Sequence, residues 1–312
     1  GCGHPLINLA SYNYLGLSYR SEVIEAAASA LRHYGLGAAG SPILSGLMSV
    51  HEELARALAR FKRVERVLLF PTGYSANVGT ISALVGPEDT VITDILAHAS
   101  IMDGAVLARA KVSLFRHNDM RSLQQKLSRA EGRKLVVVEG VYSMDGDIAP
   151  LDDVVELCQA HGARLMVDEA HSAFVYGTHG RGLAEHFGVE DQIDLHLGTL
   201  SKSLGGMGGY VGGSDKVIAY LRPYTRSQVF SCALAPPLAA GMLEALRIAS
   251  EEPELRARLW SNTRLMHAAL EAHDIDVGDS TSQVIPIMVR DDTGIFQITR
   301  DLMDAGVYLN PV

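Results

Sequence analysis

Cysteine is scarce in this sequence: Cys2, Cys158 and Cys232 are the only three in 312 residues. The count is odd and the spacing suits no metal. A disulfide scaffold is therefore excluded, and a reduced, cytoplasmic protein is expected. No basic stripe appears; the net charge is −9 and the charges are mixed along the chain. Nucleic acid is not an expected partner. No apolar run is long enough to cross a membrane, so no membrane span is expected. Internal repeats and low-complexity tracts are missing. So is any loop of the form Gly-x-x-x-x-Gly-Lys-Ser/Thr, which removes the reading of Asp168-Glu169-Ala170-His171 as a helicase box. A metal site on Asp168, Glu169 and His171 lacks a third well-spaced ligand, and no metal is expected.

What the sequence has is apolar residues, 47% of the total, enough for one large domain and a smaller one. Strand and helix patterns alternate along most of the chain. Ser21 to Tyr34 reads as a helix ended by Gly35, and His51 to Arg63 as a second. Buried strands are expected at Val67–Phe70, Thr90–Asp94, Val112–Phe115, Leu135–Glu139, Leu165–Asp168 and Leu195–Gly198. Helices at Asp119–Ala130 and Leu151–His161 fall between them. This order predicts an α/β fold with a mostly parallel sheet covered on both faces. The glycine-rich stretch Gly205 to Gly213 contains Tyr210 and Val211, and reads as a strand crossing close backbone. From about Pro237 the pattern changes. Helices Leu238–Ala249, Glu254–His273 and Ile295–Ala305 are joined by extended stretches at Val284–Val289 and Val307–Leu309. That is an α+β tail, expected to be a small second domain cut short. The first residue is not methionine, and a piece of a longer protein trimmed at both ends is expected.

In an open parallel sheet, ligands bind beyond the carboxyl ends of the strands. Lys202 stands alone in a small, glycine-rich turn, Gly198-Thr199-Leu200-Ser201-Lys202-Ser203-Leu204-Gly205-Gly206. A lysine used as a covalent handle needs such a pocket and a carbonyl partner. Asp168 ends an apolar run 34 residues upstream, where a carboxylate facing a pyridine nitrogen completes a signature of pyridoxal phosphate. The turn Pro71-Thr72-Gly73-Tyr74-Ser75 enters a helix whose free N–H groups suit a phosphate. His98 follows the next strand, where it caps a helix or stacks on an aromatic ring. Ser143, in Val141-Tyr142-Ser143-Met144-Asp145-Gly146, serves turn chemistry or a cofactor oxygen. Each element alone has an ordinary structural explanation. Their order, one after each successive strand, carries the cofactor reading.

These residues resemble the α-oxoamine synthases, fold-type-I pyridoxal-phosphate enzymes that include 8-amino-7-oxononanoate synthase, 5-aminolevulinate synthase, glycine C-acetyltransferase and serine palmitoyltransferase. The matched blocks run from Ser11-Tyr12-Asn13-Tyr14-Leu15-Gly16-Leu17 through His51-Glu52-Glu53-Leu54, His98-Ala99-Ser100, His117-Asn118-Asp119-Met120 and Glu139-Gly140-Val141-Tyr142-Ser143 to Asp168-Glu169-Ala170-His171 and Gly198-Thr199-Leu200-Ser201-Lys202. The resemblance implies a seven-stranded-type sheet. It divides the chain into an N-terminal segment (1–45), a large cofactor-binding domain (46–236) and an incomplete small domain (237–312).

It implies Lys202 as the Schiff-base lysine, Asp168 on the pyridine nitrogen and His98 stacked on the ring. His171 and Ser143 serve the ring oxygen; Gly73, Tyr74 and Thr199 hold the phosphate. Ser231 lies where a neighbouring subunit helps, which implies a homodimer with shared active sites. Asn13 and Ser41 fall where substrate binds. The implied reaction joins an amino acid to an acyl thioester, carried on coenzyme A or an acyl carrier protein, with loss of carbon dioxide and thiol. The chain departs from relatives at Pro42, where several carry arginine or histidine near the acyl donor, which argues against a carboxylated acyl chain. It also stops before the arginine that grips the amino-acid carboxylate. Another fold-type-I enzyme, an aminotransferase or an aldolase, is the alternative, but Ser203 to Gly213 lacks the arginine many aminotransferases place there. A non-catalytic subunit would lack Lys202, and a synthase domain of a larger biosynthetic protein fits the chain's ends. Ser11-Tyr12-Asn13-Tyr14 and the glycines of 208–213 lean toward serine palmitoyltransferase-like members.

Overall fold

The runs with the fewest polar residues become the middle of a sheet. In the computed structural model, which describes residues 5–291 and 293–312, the chain opens with a two-residue strand β1 (Ile7–Asn8) and helices α1 (Ser21–Tyr34) and α2 (Ser49–Lys62). Alternation follows: β2 (Arg66–Phe70), α3 (Gly73–Leu84), β3 (Thr90–Asp94), α4 (Ala99–Leu107), β4 (Lys111–Phe115), α5 (Met120–Arg129), β5 (Lys134–Glu139), α6 (Leu151–Ala160), β6 (Arg164–Asp168), α7 (Leu183–Phe187) and β7 (Leu195–Thr199). Then come β8 (Gly209–Gly213) and helices α8 (Asp215–Tyr224), α9 (Arg226–Val229), α10 (Pro236–Glu251), α11 (Glu254–Glu271) and α12 (Gly294–Asp304), with β9 (Val307–Tyr308) last.

Seven strands form the main sheet in the order β2-β8-β7-β6-β5-β3-β4. Only β8 runs against its neighbours. The carboxyl ends of β2, β3, β5, β6 and β7 therefore share one edge, and β8 starts from it. Alternation along β5 shows how both faces are covered. Val136 and Val138 pack with Leu123 and Leu127 of α5 and Val154 of α6. Leu135 and Val137 pack with Ile81 of α3 and Ile101 of α4. Each such fully buried aliphatic side chain contributes roughly 1.5–3 kcal/mol.

The glycines of β7 and β8 make room for close backbone. A Cβ on Gly198 would lie 2.5 Å from the fully buried ring of Tyr210 across the strand pair. One on Gly209 would lie 2.5 Å from the Thr72 carbonyl oxygen. The start of β8 is thus pressed against the first turn of α3.

Two expectations change, and one pairing was not anticipated. Strand β4 is an edge strand rather than a buried one, with Lys111, Val112 and Leu114 exposed, because only β3 pairs with it. Val284–Val289 forms no strand; its backbone is irregular and packs on the turn around Gly146 instead. And β1 pairs in parallel with β9, so the first and last described segments lie side by side. Among the described residues, no helix is long and apolar enough to cross a membrane.

Candidate active site

Two carboxyls stand at adjacent strand ends. Asp168 closes β6 and Glu139 closes β5, directly opposite each other in the register. Both are buried. Burial pushes both upward, and the neighbouring Asp168 charge pushes Glu139 further. The two differ in donors. Asp168 accepts from Asn77 Nδ2 at 2.7 Å and from the Ala170 N–H at 3.0 Å, both of which favour its charge. Glu139 accepts one bond, from the His98 N–H at 2.5 Å. Asp168 thus has more donors holding its charge than Glu139 has.

The next residue, Glu169, points to the other side, as the strand's alternation requires. It meets buried Lys62 and, at 3.3 Å, His196 Nδ1. Asp168, Glu169 and His171 do not converge, and no metal-binding cluster forms among the described residues.

Lys202 sits three residues beyond β7 in a turn closed by Leu200 N–H to Gly208 O and Gly205 N–H to Lys202 O, at 3.0 and 2.9 Å. Gly205 takes φ +73°, and a Cβ there would press on Asn13 Oδ1 and Ser18 N, each at 2.7 Å. The Lys202 ammonium lies 3.4 Å over the centre of the Tyr12 ring. Burial pushes this amine below its ordinary value, while Asp168 and Glu139 pull it back. His171 is buried, and burial with the nearby Lys202 charge takes it down to about 3. Burial pushes the Tyr14 phenol above its ordinary value, and its oxygen lies 2.7 Å from His171 Nδ1.

The first turn of α3 forms a cradle. Thr72 Oγ1 takes the Ser75 N–H at 3.0 Å, and the Gly73 and Tyr74 N–H groups precede the first intrahelical bond. A Cβ on Gly73 would lie 3.1 Å from Thr199 Cβ and 3.2 Å from its hydroxyl. Thr199 Oγ1 donates to Gly208 O at 2.9 Å. The Tyr74 side chain turns away to Asp103, so only its backbone faces the cradle. His98 caps α4 and is exposed. Ser143 is half-buried in a turn closed by the Tyr142 N–H to Asp147 O bond at 3.0 Å. Asn13 is tied to Ser18 Oγ at 2.6 Å beside the Lys202 turn.

Ser41 and Ser231 make no hydrogen bond to this group among the described residues. Their segments touch each other through the Ala233 N–H and Gly40 O at 2.9 Å. Sequence reasoning passed over Asn77, Ser100, Glu139 and Gln283, whose amide donates to His171 O at 2.7 Å. Glu139 ends an apolar strand just as Asp168 does, and that signal was readable.

The profile of the aminotransferase class I and II family matches residues 4–312. Serine palmitoyltransferase of Sphingobacterium spiritivorum is 43% identical over 99% of this chain and 78% of its own length. The 8-amino-7-oxononanoate synthase of Thermoanaerobacter pseudethanolicus is 40% identical over 98% of this chain and 78% of its own. The chain belongs to the α-oxoamine synthase group of this family. Among solved structures, Sphingomonas wittichii serine palmitoyltransferase superimposes with a TM-score of 0.96 at 39% identity, covering 99% of this chain and 78% of its own. A structure of SPT holding its PLP internal aldimine matches with a TM-score of 0.96, at 39% identity, over 99% of this chain and 79% of that one.

This α-oxoamine synthase uses pyridoxal phosphate, and its residues fit that cofactor. A buried carboxylate held by two neutral donors is one positive charge short, which a protonated ring nitrogen supplies. The Gly73 and Tyr74 N–H groups at the start of α3, beside the Thr199 hydroxyl, suit a phosphate.

Proposed function

We propose that this synthase condenses an amino acid with an acyl thioester and releases carbon dioxide and free thiol, leaving an α-amino ketone. The observation that carries the reading is the pairing of Lys202, its amine pushed down by burial, with an Asp168 carboxylate held by Asn77 and Ala170. When bound, pyridoxal phosphate withdraws electrons from the α-carbon of an attached amino acid.

The chain's own residues do the rest. Asp168 keeps the ring nitrogen protonated by its charge. Lys202 anchors the cofactor, and its free amine moves the proton at the α-carbon; lowered basicity raises the fraction able to accept it. His171 and Ser143 serve the ring oxygen. His98 covers the ring face. Gly73, Tyr74 and Thr199 hold the phosphate. A second copy of the chain supplies Ser231 to the same phosphate, which makes the working unit a homodimer.

For substrates we propose serine and a long, uncharged acyl chain. Support comes from the 43% identity to serine palmitoyltransferase and from Pro42, which puts no charge where several relatives carry arginine or histidine near the acyl donor. Mixing the loaded enzyme with serine and palmitoyl-coenzyme A should release carbon dioxide and thiol in equal amounts. Transfer of the amino group to a keto acid, with all carbon retained, would establish an aminotransferase instead.

A further inference from the structure

One amide reaches two of the residues assigned to the cofactor ring. Asn77 lies in α3, fully enclosed, on a helix face of alanine, glycine and isoleucine. Its Nδ2 has two hydrogens and both are used. One goes to Asp168 Oδ2 at 2.7 Å and the other to Ser100 Oγ at 2.9 Å. Ser100 is buried as well, and its Oγ lies 2.7 Å from His98 Nδ1. The Oδ1 of Asn77 is buried with no partner among the described residues, where the amide is held by its donors alone.

The directions of these bonds are fixed by chemistry. A carboxylate only accepts, so the amide nitrogen must face Asp168. Ser100 Oγ accepts from that nitrogen and keeps its own hydrogen for His98. The Ser100 N–H also points at His98 Nδ1, at 3.3 Å. Two donors on one ring nitrogen require a lone pair there. The imidazole thus carries its hydrogen on Nε2.

We propose that Asn77 is a positioning residue for the cofactor. It clamps the Asp168 carboxylate in its ionised form and, through Ser100, sets the tautomer and tilt of the His98 ring. Burial is the main force driving Asp168 toward its neutral form, and the Asn77 bond is the largest force opposing it. This inference rests on the roles given above to Asp168 and His98. Its test is read on cofactor-free protein and is independent of which reaction the enzyme performs.

The test compares Asn77→Leu and Ser100→Ala with the parent by nuclear magnetic resonance of protein carrying labelled aspartate carboxyls and histidine nitrogens. Asp168 and His98 are assigned through Asp168→Asn and His98→Gln. In the parent, His98 should show the Nε2–H pattern. Asn77→Leu should raise the Asp168 titration by at least about one pH unit, the size of one lost charge-assisted hydrogen bond. Ser100→Ala should leave Asp168 nearly in place and move the His98 Nδ1 resonance downfield, as a lone pair losing a donor does. Pyridoxal phosphate should then bind Asn77→Leu about tenfold more weakly, the same loss read as a binding constant. Should Asn77→Leu not fold, Asn77→Ala, which adds no bulk, carries the same expectation. An Asp168 titration unmoved in the Asn77 variants, or an Nδ1–H tautomer at His98 in the parent, would overturn the proposal.

Discussion

Replacing Lys62 by methionine tests whether the face of the sheet behind the active site depends on charge pairing. Lys62 is 1% exposed and its partner Glu169 0%. The methionine keeps most of the side-chain stem and removes only the ammonium. What remains around Glu169 is His196 Nδ1 at 3.3 Å and the Ala184 N–H at 3.3 Å, two long contacts. Breaking a buried pair from one side costs about 3–5 kcal/mol, because the other charge is stranded. At roughly 2–3 °C per kcal/mol for a chain of this size, the melting temperature should fall by about 6–15 °C.

The pH dependence has a definite sign. Burial raises Glu169, but Lys62 and His196 outweigh it and hold the carboxyl at about 2, below its ordinary 4.5. In the parent, its stabilising contribution is present above pH 4.5 and is lost as pH falls toward 2. Without Lys62 the carboxyl rises above its ordinary value. The deficit of Lys62→Met should then be smallest near pH 2 and grow toward neutrality. Urea unfolding followed by the fluorescence of Trp260, the single tryptophan, measures both. Adding Glu169→Gln to Lys62→Met should recover part of the loss at pH 7.5. A deficit under about 0.5 kcal/mol, the ordinary range for surface changes, or one that is flat with pH, would refute the reasoning.

Other expectations follow from single contacts. His117 lies between Asp94 at 3.0 Å and Asp147 at 2.8 Å. Burial opposes its charge, yet the two carboxylates raise it above its ordinary 6.5. His117→Asn should therefore destabilise most below pH 6.5, with the difference shrinking as pH rises through the folded value; equal melting differences at pH 5.5 and 9 would contradict this. Gly198→Ala drives a methyl group into the buried Tyr210 ring, 2.5 Å away. It should cost about 1–3 kcal/mol in urea unfolding, and an unchanged midpoint would show that the β7–β8 pair can open.

The strands were legible where they are buried on both faces. Leu135–Glu139 and Leu165–Asp168 are apolar runs ended by an acid, and each forms as expected with the acid at the sheet's working edge. Lys202 and Asp168 were legible because a lone lysine among glycines and a strand-end aspartate are unusual neighbours. Asn77 was not. Its partners Ser100 and Asp168 lie 23 and 91 residues away, and nothing local marks an asparagine as a double donor. The same holds for Gln283, which reaches His171 across 112 residues. The exposed edge of β4 and the irregular 284–289 stretch also depend on distant pairing, since apolar residues alone do not say whether a neighbour strand is present. Ser231 and Ser41 were named through resemblance alone.

The measurement that most directly tests the account is borohydride reduction of the enzyme loaded with pyridoxal phosphate, followed by peptide mapping. The account predicts a yellow protein, bleached by reduction, with one phosphopyridoxyl group on Lys202. Label on any other lysine, or a bleached protein with no label, would contradict it.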